Sequence, residues 1–144
     1  MSKVIQVKDN TLIIETPFDD CYNIPDEKYN FIKCLYIKYT NNVHIPNMHN
    51  LEIIRTNDSF VNIPDGLPKL HVIICEMIEN VKINLESYHD LIILKEERTK
   101  ILPLNNNRID IKKVLKNNNI RVINSDEDTE FMSINEILSL YHIN

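Results

Sequence analysis

The sequence predicts a β-solenoid, a stack of short parallel strands, on three observations. An apolar triplet followed three positions on by a small polar residue recurs in succession: Ile32, Leu35, Ile37, Thr40; Met48, Leu51, Ile53, Thr56; Leu67, Leu70, Val72, Cys75. An Ile, twice followed by Pro, returns behind these runs at Ile45-Pro46, Ile63-Pro64 and Ile83. The flanking segments break the pattern, as the terminal units of a repeat array do, because an uncovered end would expose its apolar layer to water.

At the N-terminal side, Val4–Val7 and Leu12–Glu15 alternate like the two strands of a hairpin about a turn at Lys8-Asp9-Asn10, which is expected to cap the stack. Residues 16–31, rich in Asp and Asn and broken by Pro17 and Pro25, form a connector. The repeats occupy 32–103, with strand leucines at Leu35, Leu51, Leu70 and Leu91 and a weaker successor at Ile109, giving spacings of 16, 19, 21 and 18 residues. Such short turns leave extended or 3₁₀ segments for the return side, around Ile45-Pro46, Ile63-Pro64, Ile83 and Ile101-Leu102-Pro103, because Pro cannot donate to a helix ladder.

After Pro103, Ile111, Val114 and Leu115 recur at helical spacing behind Asp110, and Ile120–Ile123 reads as one more strand. The acidic stretch 126–130 reads as a solvated loop. Ser133-Ile-Asn-Glu136 has the form of a capping box, and Ile134, Ile137, Leu138 and Tyr141 line one face of the helix it opens. That helix is expected to seal the far end of the core in preference to docking elsewhere. The whole is read as a single domain, 1–144, with 1–31 and 104–144 flanking the repeats.

Composition narrows the functional classes. A formal net charge of −5 opposes general nucleic-acid or anionic-membrane binding, which depend on a positive field. The cluster Lys112, Lys113, Lys116 and Arg121 reads as a solvated face. Three irregularly spaced cysteines fit reduced thiols in a cytoplasmic, reducing compartment. No signal-peptide run and no membrane-length apolar stretch is present in the sequence. A single glycine, Gly66, rules out glycine-rich phosphate loops.

The triplets fit L-x-x-L-x-L-x-x-(N/C/T), and the middle of the chain, from about Ile32 to Pro103, resembles leucine-rich repeat proteins. Its best match is Phe60-Val-Asn-Ile-Pro-Asp-Gly-Leu-Pro-Lys-Leu70, which is also similar to the FNIP-type repeats of amoebae and their giant viruses. The resemblance implies a horseshoe with parallel strands on a concave face. It also implies that Thr40, Thr56 and Cys75 turn inward to satisfy backbone groups where each strand bends away. The fourth and fifth copies depart from the pattern, with Glu96 and Val114 at that position.

Strand side chains alternate, so inward triplets leave Tyr36, Glu52, His71, Ile92 and Asp110 in one outward row, and Lys38, Ile54, Ile73, Leu94 and Lys112 in the next. Ile54, Ile73, Ile92 and Leu94 would then form an exposed apolar block flanked by Tyr36 and His71, the usual mark of a protein-binding surface. The adjacent apolar residues in 51–55 and 71–75 also admit a second register, one residue shifted, that buries Ile54 and Ile73.

Metal-ligand spacings are missing, and neither Cys34 with His71 nor the adjacent acidic pairs Glu96-Glu97 and Asp19-Asp20 come with a pocket or an oxyanion hole, so no metal, cofactor or enzyme activity is expected. Two classes remain. The chain is either a module that binds a protein partner through the concave face, or a self-associating structural protein such as a component of a virus particle.

Overall fold

Asp9 and Asn10 adopt left-handed backbone angles (φ 51° and 63°), the pair that a two-residue hairpin turn of matching twist requires. They close β1 (Val4–Lys8) onto β2 (Thr11–Glu15) with Lys8 opposite Thr11. From β2 onward, in a computed structural model described for residues 3–17, 21–96, 111–125, 129 and 131–143, the chain winds as a β-solenoid. The remaining strands are β3 (Tyr22–Asn23), β4 (Cys34–Lys38), β5 (Asn42–His44), β6 (Ile53–Asn57), β7 (Phe60–Asn62), β8 (Val72–Cys75), β9 (Val81–Lys82), β10 (Ile92–Lys95) and β11 (Arg121–Asn124). Helix α1 (Ile111–Asn117) precedes β11 and α2 (Ile134–Leu140) follows it.

Two sheets form the walls. One has seven strands in the order β1-β2-β4-β6-β8-β10-β11, parallel except for β1, and the other has four in the order β3-β5-β7-β9, all parallel. The expected extended return segments are therefore a sheet of two- and three-residue strands, with 3₁₀ turns at Ile78–Asn80 and Leu85–Ser87. Strands this short persist because their backbone groups pair from turn to turn, a ladder continued past β5 by Ile45 N–H to Asn62 O (3.2 Å) and past β7 by Ile63 N–H to Lys82 O (2.9 Å). The return segment around Ile101, the strand successor at Ile109 and the outward position Asp110 lie outside the described residues.

Between the walls, each position on a turn stacks on its equivalent in the next, and the step is 19 residues from β4 to β6 and again from β6 to β8. Tyr29, Met48 and Leu67 make one buried column, Ile32, Leu51 and Leu70 a second, and Leu35, Ile54, Ile73 and Ile93 a third. A repeated local turn anchors the columns: Ile32 N–H donates to Tyr29 O, Leu51 N–H to Met48 O, and Leu70 N–H to Leu67 O (3.1, 3.2 and 3.4 Å). On the other wall Val43, Val61 and Val81, with Ile45, Ile63 and Ile83, close the same core.

This spacing corrects the register read from the sequence. Leu35 pairs with Ile54, not with Leu51, whose true equivalent is Ile32. Ile54 and Ile73 consequently point inward and are fully buried, at 0% exposure. The small polar position moves with the register. Thr40 is the inward hydroxyl expected at the bend: it accepts from Thr16 N–H (3.1 Å) and donates to Lys38 O (3.0 Å). Its equivalent is Ser59, which accepts from Thr40 N–H (2.9 Å) and donates to Asn57 O (2.8 Å). Thr56 and Cys75 instead stack under Ile37 within the strands, three residues before the bend.

The second correction concerns α2. Its capping box is present, with Ser133 Oγ accepting from Glu136 N–H (3.1 Å) and Glu136 reaching back to Ser133 N–H (3.3 Å). The helix nevertheless lies on the outer face of the seven-stranded sheet. Ile137 and Ile143 bury themselves with Val72, Ile74 and Leu94, separately from the core between the walls. The physical reason is the register itself: with Ile73 and Ile93 inward, Val72, Ile74, Ile92, Leu94 and Ile123 face outward, and α2 is the apolar surface that covers them.

Candidate interaction surface

The outer face of the seven-stranded sheet carries two side-chain rows. One runs Thr11, Cys34, Ile53, Val72, Ile92, Arg121 and the other Ile13, Tyr36, Arg55, Ile74, Leu94, Ile123. The rows grow more apolar toward β8 and β10, where α2 sits. Arg55 marks the boundary, for its Nη2 donates to Thr129 O (2.7 Å), pinning the segment that leads into α2. The Glu96 carboxylate holds the same residue through Thr129 N–H (3.2 Å) and its hydroxyl, and Ser125 Oγ hydrogen-bonds Tyr141 OH (2.6 Å) beyond. Hydrogen bonds to charged groups are the stronger kind, so Arg55 and Glu96 hold Thr129 ahead of α2, while the neutral Ser125–Tyr141 bond ties its C-terminal end.

On the other side of Arg55 stands Tyr36, half-buried on the outer face. Two cations contact its ring, with the Arg55 guanidinium 4.3 Å and the Lys38 ammonium 4.9 Å from the centroid. Asn57 Nδ2 donates to its hydroxyl (3.0 Å). Cation–π contacts and a fixed hydroxyl hold the ring in one orientation before anything binds. Beside it Cys34 is buried, and desolvation pushes its thiol up to about 12, with Thr11 and Arg55 opposing weakly. It stays protonated and unreactive near neutral pH.

The six residues singled out from the sequence scatter around this surface. Tyr36 lies on the outer face as expected. Ile54 and Ile73 are inside the core and offer nothing to a partner. Ile92 and Leu94 are on the outer face, the first half-buried and the second sealed beneath the α2 cluster at 1% exposure. His71 precedes β8, where its N–H donates to Glu52 O (3.0 Å) and its Nδ1 lies 3.2 Å from Lys69 O. Lys112 falls in α1 and not in a strand. The sequence reading missed Arg55. Its signal was an arginine directly behind two isoleucines in a strand, a place a buried arginine occupies only with a partner.

Among the described residues, no three His, Cys, Asp or Glu side chains come together as metal ligands, and no helix is long and apolar enough to cross a membrane. No protein-family model, curated protein or solved structure matches this chain.

Proposed function

We propose that this chain is a non-enzymatic protein-binding module that engages its partner on the outer face of the seven-stranded sheet, with Tyr36 as the central contact. The observation that carries the reading is the Tyr36 ring in cation–π contact with both Arg55 and Lys38, with its hydroxyl bound by Asn57. A pre-oriented tyrosine beside an arginine gives up little conformational freedom on binding, and these residue types dominate interface energetics. The reading treats the repeats as leucine-rich-repeat-like and this face as their concave side, supported by the 19-residue columns from Ile32 to Leu70. It assigns no catalytic part to the buried Cys34.

The test compares proteins captured from extract by the wild-type chain and by Tyr36→Ala, after thermal melting has shown both to be folded. The reading expects a specific partner retained by the wild type and lost, or weakened at least tenfold, by the variant. A partner captured equally by both would place the contact elsewhere.

A further inference from the structure

β1 ends the seven-stranded sheet, and among the described residues nothing pairs with its far side. The hairpin geometry says which backbone groups face that side. A two-residue turn makes Lys8 and Thr11 a hydrogen-bonded pair, and alternation along the ladder makes Gln6 with Ile13 and Val4 with Glu15 the next ones. The N–H and C=O groups of Ile5 and Val7 therefore point to the open edge.

We propose that this edge pairs antiparallel with β1 of a second copy of the chain, about a two-fold axis at Gln6, so that two seven-stranded sheets become one. The proposal goes beyond the Tyr36 surface and does not rest on it. Self-pairing centred on Gln6 sets Ile5 opposite the partner's Val7 and Val7 opposite the partner's Ile5, which are the outward-directed hydrogen-bonding positions. The side chains agree. Ile5 and Val7 share the core-facing side of the strand; Ile5 packs on the core while Val7 is left 44% exposed, and the second copy's Ile5 would cover it.

Charge selects the same register. Lys3, whose ammonium rests 5.5 Å from the centroid of the Tyr22 ring, comes beside the partner's hairpin turn, whose first residue is Asp9, and Lys8 falls opposite the partner's Val4. No like charges face each other. Sliding the pair to centre on Ile5 puts Lys3 opposite Val7, and centring on Val7 carries the turn past Lys3; both separate Lys3 from Asp9 and shorten the strand overlap. An edge guarded only by lysines would repel its own copy, whereas this one presents a lysine and an aspartate at complementary ends.

Light scattering on the wild-type chain across a concentration series is expected to rise from 17.0 kDa toward twice that mass. Val7→Pro removes an N–H that serves no bond within the hairpin, so it is expected to stay folded and monomeric. Should it fail to fold, Lys3→Glu, which sets a glutamate against the partner's Asp9, is expected to weaken the dimer several-fold. In a Cys21→Ser background, mild oxidation is expected to cross-link Q6C, where Cα atoms of a non-hydrogen-bonded pair lie about 4.5 Å apart, and not K8C. A wild type that stays monomeric at every concentration overturns the proposal. So does a dimer insensitive to Lys3→Glu, or equal cross-linking of Q6C and K8C.

Discussion

The two halves of the sheet's outer face are built on the same backbone ladder yet end in opposite states. Over β8 and β10 the outward residues are Val72, Ile74 and Leu94, and the chain's own α2 buries them. Over β4 and β6 they are Tyr36, Lys38, Arg55 and Asn57, joined by cation–π contacts and hydrogen bonds. One-sided burial is what makes a strand register matter: a one-residue shift would exchange every inward and outward side chain. Here the C-terminal half is apolar on both faces, so its sequence alone fits either register. The tertiary answer comes from α2, which makes an outward apolar row as buried as an inward one.

The largest effect expected from this comparison is at the inner row. Ile73→Asp puts a carboxylate between Ile54 and Ile93 with no partner, and unfolding is expected, with the cooperative thermal transition lost. Next comes the seam between sheet and helix. Ile137→Ala is expected to cost about 2–5 kcal/mol of α2 docking. Hydrogen exchange then accelerates in α2 and over Val72–Cys75, while β4 keeps its protection. Equal loss of protection in β4 would mean that the two halves are one cooperative unit.

The bend provides a finer test of register. Thr40→Val leaves the buried Thr16 N–H without its acceptor and is expected to cost about 1–3 kcal/mol. Thr56→Val removes only a long 3.4 Å contact to Ser59 O and is expected to cost less than half as much. Urea titration of both variants decides the order.

The smallest effect separates protonation from packing. Burial pushes the Cys34 thiol from 9.0 to about 12 and the Tyr88 hydroxyl from 10.0 to about 12. The folded state thus holds these protons where the unfolded chain has released them. Cys34 contributes its full stability below about pH 9 and loses it as pH rises through 9–12, by at most about 1.4 kcal/mol per unit, and Tyr88 adds a smaller, solvent-screened loss through 10–12. Cys34→Ala is expected to flatten the alkaline slope of urea stability, leaving the neutral region parallel to the wild type.

Much of the architecture was legible in the residues. The turn at Lys8-Asp9-Asn10, the strand read at 120–123 and found at Arg121–Asn124, the capping box at Ser133 and the extended return at Ile45-Pro46 and Ile63-Pro64 each announce themselves through local chemistry. The register was not, because Leu35 and Leu51 look alike while the column that matters joins Ile32 to Leu51. Choosing the wrong leucine gave a 16-residue first step where the backbone makes 19, and carried Ile54 and Ile73 to the wrong face. The place of α2 was hidden for the same reason: its apolar stripe at Ile134, Ile137, Leu138 and Tyr141 says that it is buried, and only the outward Val72, Ile74 and Leu94 say where. Of the surface, Tyr36 was readable from its outward position. Its setting was not, since it depends on Arg55 from the next turn and on Thr129 from far along the chain.

Adjacent engineered thiols read the strand register residue by residue. In a Cys21→Ser background, I53C and I54C are each exposed to a thiol reagent under native conditions, with I74C as a third probe. With Ile54 inward, I53C is expected to react and I54C not, and I74C is expected to become reactive only when Ile137→Ala loosens α2. Rapid labelling of I54C with protection of I53C would contradict this register.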